Sequence, residues 1–133
     1  MHILKIIFFG LVILLTSCIY CSTVSRLSIN NESQKDVYVI LKADSIGKMS
    51  AFNYFLKGSI VTQSKVDTIK NIGIFVIPSR GYLLLYDGPG DEPAALISYL
   101  KIISSTQIVE LKNQQDIVSS CDKTGINYAL IIK

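Results

Sequence analysis

Residues 72–86 read IGIFVIPSRGYLLLY. Ile72 to Ile77 is a short run of β-branched, apolar and aromatic residues, which suits a buried strand better than a helix of ordinary length. Pro78 stops the run, because proline has no N–H to give to a sheet ladder. Ser79-Arg80-Gly81 is a tight turn, and Tyr82 to Tyr86 is apolar again. Two strands around so short a turn predict a hairpin.

The same grammar extends in both directions. Upstream, Val37 to Ala43 (VYVILKA) is a clear strand, and Arg26 to Asn30 alternates as a first one, with the polar turn Asn31 to Asp36 between them. Asp44 to Lys48 contains Gly47 and reads as a turn. Ser50 to Leu56 alternates and predicts a strand that Lys57-Gly58 breaks, with short strands following at Ile60 to Ser64 and Val66 to Ile69. Downstream, Asp87 to Glu92 frames a Gly-Pro-Gly sequence and predicts an open loop. Pro93 to Ser104 supports two readings. Asp91 could cap a helix with Pro93 in its first turn and Leu96, Leu100 and Ile103 on one face; Leu96 to Ile103 fits a strand equally well. Gln107 to Leu111 suits a strand, Asp116 to Cys121 takes no assignment, and Ile126 to Ile132 (INYALII) is the last strand. Seven to nine short strands separated by turns predict a mostly β fold, a small antiparallel β-sandwich with room for one short helix.

The chain has 133 residues, enough for one core. The sandwich is expected over residues 26–133, behind a tether at 18–25 and a leader at 1–17. Lys5 supplies a positive start to the leader, and Ile6 to Leu15 (IIFFGLVILL) form ten residues without a polar side chain. That length matches the apolar core of an export signal and falls short of the roughly 20 residues needed to span a bilayer.

Leu15-Thr16-Ser17-Cys18 follows at once: an aliphatic residue, two small residues and a cysteine. It resembles the lipobox of bacterial lipoproteins. The resemblance implies that Cys18 is acylated and becomes the mature N-terminus, and that the chain is held to the cell envelope, at the outer membrane. Two or three acyl chains anchor firmly where one is marginal. The alternative is an ordinary signal with a chance cysteine and a freely secreted product. The stretch Ile29-Asn30-Asn31-x-Ser33-x-x-Asp36-Val37-Tyr38-Val39 also resembles the start of small β-rich lipoproteins of Bacteroides-type bacteria, which implies the same fold and address and no activity.

The three cysteines are Cys18, Cys21 and Cys121. With Cys18 lipidated, Cys21 and Cys121 are a candidate disulfide in an oxidising compartment. It would close a loop of about 100 residues and contribute roughly 4–5 kcal/mol in the chain-entropy model. A free Cys121 beside a Cys21 in the tether is the other reading.

The only histidine, His2, lies in the leader. Residues 18–133 therefore contain no Ser-His or Cys-His nucleophile pair and no histidine metal ligand. Ser45-Ile46-Gly47-Lys48 and Lys123-Thr124-Gly125 resemble two motifs of penicillin-recognising enzymes, but the third, Ser-x-Asn, is missing between them. Asp87, Asp91 and Glu92 could hold calcium only in a spacing that fits no known loop. Asn31-Glu32-Ser33 is a glycosylation sequon, relevant in a eukaryotic source alone. Tyr38, Tyr54, Tyr82, Tyr86, Tyr99 and Tyr128 are candidates for an aromatic binding face or for half-buried sheet positions. Net charge is +3, and Lys5 in the leader is one of the 13 basic residues, so 12 face 10 acidic ones beyond it. The basic residues are scattered, which argues against nucleic acid as a partner. The expectation is a non-enzymatic binding or structural module with no cofactor and no metal. Its partners are the membrane, through the lipid anchor, and a protein or glycan; the alternative is a secreted, disulfide-stabilised binding or inhibitory protein.

Overall fold

The computed structural model describes residues 24–43, 55–89 and 97–133. Nine strands and one complete helix occupy them in the order β1 (Val24–Asn31), β2 (Val37–Ala43), β3 (Gln63–Asp67), β4 (Ile72–Ile77), β5 (Tyr82–Pro89), β6 (Ile97–Ile103), β7 (Ile108–Leu111), α1 (Gln114–Ser119), β8 (Asp122–Thr124) and β9 (Asn127–Ile132). The strands form two sheets: four strands in the order β5-β1-β9-β8, and five in the order β3-β4-β2-β6-β7. The protein is a mostly β, two-sheet sandwich with a short helix. One pairing departs from the antiparallel expectation: β9 runs parallel to β1, with Leu27 beside Tyr128 and Ile29 beside Leu130.

The core lies between the sheets. Leu27 and Ile29 of β1, Leu83 and Leu85 of β5, and Leu130 and Ile132 of β9 face Val37, Val39 and Leu41 of β2, Phe75 and Ile77 of β4, and Leu100 and Ile102 of β6. Period-two alternation along each strand puts these residues on one side. Two bulges shift the alternation. On β5, Leu85 is the extra residue between Tyr86, opposite Leu27, and Leu84, opposite Ser28, so that Leu85 and Tyr86 both pack on the core. On β6 the register slips between Lys42 and Ala43, which brings Ile97 and Leu100 inward at a spacing of three. The helix reading rests on Leu96, Leu100 and Ile103 as one face; the segment is a strand from Ile97 onward, with Ile97, Leu100 and Ile102 buried, and Leu96 lies outside the described residues.

Residues 72–86 are two strands around a turn, but they do not form a hairpin. β4 pairs with β2 and β3 in one sheet, while β5 pairs with β1 in the other. Residues 78–81 form an arc that crosses between the layers, as residues 32–36 do from β1 to β2. Gly81 N–H donates to the Pro78 carbonyl at 2.8 Å, and Arg80 takes a left-handed conformation at φ 63°.

Asn31 ties the two arcs together. It is 1% exposed. Its Nδ2 donates to the carbonyls of Lys35, Ile77 and Pro78 at 2.8, 3.0 and 3.0 Å, and its Oδ1 accepts from Ser33 N–H at 3.0 Å and Ser33 Oγ at 2.7 Å. Its backbone pairs with Gly81 and Arg80. The Asn31-x-Ser33 sequon is thus a buried structural joint, and its amide is closed to a glycan.

Two further expectations are corrected. The strand expected to end at Leu56 is overturned where it is described: residues 55–57 are helical, with Phe55 fully buried, and residues 50–54 lie outside the described residues. Ser59 Oγ donates to the Phe55 carbonyl and accepts from Leu84 N–H at 2.8 Å, and Ile60 bridges Tyr82, so this segment covers the free edge of β5. Instead of two strands at 60–69 there is one, β3, and residues 68–71 form the turn into β4. In the stretch without a sequence assignment, α1 begins at an Asn113 cap whose Oδ1 accepts from Asp116 N–H at 2.9 Å, and it inserts Ile117 into the core.

Candidate binding groove

The outer face of the four-stranded sheet carries a groove of about 700 Å³. Its position follows from the alternation that builds the core. Leu27 and Ile29 point inward, so Arg26, Ser28 and Asn30 point outward on β1. In register beside them stand Asn127 and Ala129 of β9, and Tyr82 of β5 opposite Asn30. The small side chains of Ser28 and Ala129 are neighbours at the centre, which lowers the floor there. The arcs close one end with Glu32 and Arg80, while Arg26 and Asn127 mark the other.

The two arginines of the chain, Arg26 and Arg80, both line this groove; the other eleven basic residues are lysines. The Arg26 guanidinium carbon stands 5.8 Å from the Tyr82 ring centroid, within cation–π range. Arg80 owes its place to its left-handed backbone in the arc, a conformation that non-glycine residues adopt at some cost. Together with Asn30 and Asn127 these side chains offer fork-shaped cationic donors and mixed amide donors and acceptors. The lining holds no histidine, lysine or cysteine. Glu32 is the one carboxylate in that lining, and the arginine and amide groups suit recognition of a polar ligand.

The residues singled out from the sequence are dispersed. Cys18 and Cys21 lie outside the described residues, as do Ser45, Lys48, Tyr54, Asp91 and Glu92. Cys121 follows α1, half-buried, and its Sγ donates to the Ile117 carbonyl at 3.1 Å. Burial, with a smaller contribution from neighbouring Asp122, pushes its thiol up to about 11. Lys123 and Thr124 belong to β8, and Gly125 is in the turn into β9. Asp87 stands within β5 opposite Arg26, where an open loop was expected, because pairing with β1 continues to Pro89. Among the described residues no group of three or more His, Cys, Asp or Glu side chains could hold a metal ion.

The described tyrosines form no common face. Tyr82 and Tyr128 line the groove, and Lys123 Nζ lies 5.1 Å from the Tyr128 ring centroid. Tyr38 is exposed on the opposite sheet, and Tyr86 packs on the core. Tyr99 donates to Glu110 Oε1 at 2.9 Å; that hydrogen bond, with lesser desolvation and charge effects, holds its phenol above the usual value. Sequence reading missed Arg26, Asn30, Arg80 and Asn127. One signal was present: a chain that uses lysine almost throughout places an arginine at two positions, one beside a turn glycine. Comparison with protein-family models, with curated proteins and with solved structures found no match to this chain.

Proposed function

We propose that this chain is a lipid-anchored, non-enzymatic module of the cell envelope that holds a carboxylated glycan in the groove of its four-stranded sheet. The observation that carries the reading is the convergence of both arginines on one groove. A guanidinium pairs with a carboxylate through two parallel N–H donors, a geometry that the compact ammonium of lysine does not offer. Asn30 and Asn127 suit ring hydroxyls, which both give and accept hydrogen bonds. The Tyr82 ring adds a flat apolar surface with a polar edge. The lipobox-like Leu15 to Cys18 supports the anchor and the envelope address.

Titration with oligogalacturonate, followed by amide chemical shifts, tests the ligand class. Binding is expected to perturb Arg26, Asn30, Arg80 and Asn127, and the neutral methyl ester is expected to bind poorly. Arg26→Gln and Arg80→Gln should each weaken binding about tenfold, the loss expected for one charge-assisted hydrogen bond. Equal binding of the acid and its ester, or shifts confined to other faces, would refute it. Metabolic palmitate labelling tests the anchor: label is expected on the wild type and lost in Cys18→Ala. An unlabelled protein released to the medium would instead favour the secreted, disulfide-stabilised reading.

A further inference from the structure

We infer that the sandwich stands on the membrane with one defined end down, pressing the turn tips that carry Ile69 and Ile126 into the headgroup layer. The inference rests on the lipid anchor proposed above and goes beyond it, since an anchor alone leaves the domain free to tumble.

Both tips lie at the end of the sandwich where the described chain begins. β1 starts at Val24 and runs toward Asn31, where the 32–36 arc turns the chain back along β2, so the start of β1 and the end of β2 share one end. Ala43 N–H, at the end of β2, donates to the Asn71 carbonyl of the β3–β4 turn at 3.0 Å. Arg26 N–H, near the start of β1, donates to the Ile126 carbonyl of the β8–β9 turn at 3.3 Å. Val24 lies six positions beyond Cys18, a fully extended reach of about 20 Å. An acyl group on Cys18 would therefore hold this end within that distance of the bilayer.

The tips are suited to what lies there. Ile69 is 91% exposed, the most exposed large apolar side chain of the described residues, and Ile126 is 46% exposed. The β3–β4 tip is a built turn: Asp67 Oδ1 accepts from both Ile69 N–H and Lys70 N–H at 3.0 Å, and Asn71 takes φ 57°. This fixes Ile69 outward with Lys70 the next residue, while Lys123, in β8 ahead of the turn that carries Ile126, holds its Nζ over the Tyr128 ring. Isoleucine flanked by lysine fits the boundary between acyl chains and anionic headgroups. The carboxylate of Asp67 is turned back into the loop it caps. In this pose the groove climbs the side of the domain, with Arg26 near the membrane and Arg80 away from it.

The chain contains no tryptophan, so a single introduced indole reports one position. The full-length protein carries Ile69→Trp, Ile126→Trp or Ile108→Trp. Ile108 is 66% exposed and sits at the opposite end, where β7 begins, which makes it the control. Each variant is purified from membranes and reconstituted in phosphatidylethanolamine–phosphatidylglycerol vesicles with and without brominated lipid. Intact-mass analysis of the same sample reads Cys18. The expected result is lipidated Cys18, with blue-shifted, bromine-quenched emission at positions 69 and 126 and unshifted, unquenched emission at 108. Lipidated protein with all three positions alike overturns the oriented pose and leaves the anchor standing. A bare Cys18 overturns both.

Discussion

Asn31 concentrates more of the fold in one side chain than any other described polar residue. Its amide hydrogens serve three carbonyls from two arcs, so one hydrogen is shared, and its oxygen takes both donors of Ser33. Truncation removes five hydrogen bonds at once: the Pro78 and Lys35 carbonyls keep Gly81 N–H and Ser33 Oγ, but the buried Ile77 carbonyl loses the Asn31 amide and Ser33 N–H loses its acceptor, each loss costing about 1–3 kcal/mol. Asn31→Ala is expected to lower stability by about 3 kcal/mol in urea unfolding, and a loss below about 1 kcal/mol would refute the joint. Cys121 permits a second prediction. Its folded thiol holds the proton more tightly than the unfolded one, at about 11 against 9.0. The stability this contributes is present in full below pH 9 and is lost as pH rises through about 11. With reductant present, alkylation of Cys121 by iodoacetamide should be slow at neutral pH and keep accelerating toward pH 11, whereas the urea-unfolded chain should level off near 9. Matching profiles would contradict the burial of the thiol.

At the scale of elements, turns and arcs use the same residues for different ends. Pro78-Ser79-Arg80-Gly81 has the composition of a hairpin turn, yet it carries the chain from one layer to the other. The difference lies in what Gly81 must fit: a Cβ there would stand 2.8 Å from the Ile60 carbonyl oxygen and 2.8 Å from Pro78 Cδ. Neither atom can yield easily, one being backbone and the other a ring. Gly81→Ala is expected to cost about 2 kcal/mol, the range of an overpacked site, and should loosen the Ile60–Tyr82 bridge in hydrogen exchange. A neutral substitution would mean that the arc is not packed against the 55–60 segment. The bulge at β6 teaches a related lesson. Inward residues at 97 and 100 mimic a helical stripe, and only the register against β2 reveals a strand.

For the molecule as a whole, the decisive pairing joins its two ends. β9 lies inside the four-stranded sheet between β1 and β8, and it places Leu130 and Ile132 in the core. Arg26 pairs with Asn127, so about 100 residues must be looped before this parallel ladder forms, and such non-local pairing folds slowly. A chain ending at Gly125 would leave β1 unpaired on one side and β8 with no partner, and would open the core. It is expected to lose the dispersed amide spectrum of the intact chain; a folded product would show that β9 is dispensable. The helix α1 and the 55–60 segment complete the shell, each delivering one fully buried residue, Ile117 and Phe55.

Sequence alone determined the class of the fold, most strand positions and the absence of histidine chemistry beyond residue 17. These follow from local properties: β-branched alternation, proline and glycine as breakers, and simple residue identity. Which strands pair, and therefore where the groove lies, was decided by tertiary structure. A strand's pattern states that one face is buried but does not name the sheet that buries it. Arg26 and Arg80 are 54 positions apart, and only the crossing arc at 78–81, held by Asn31, brings them onto the same surface.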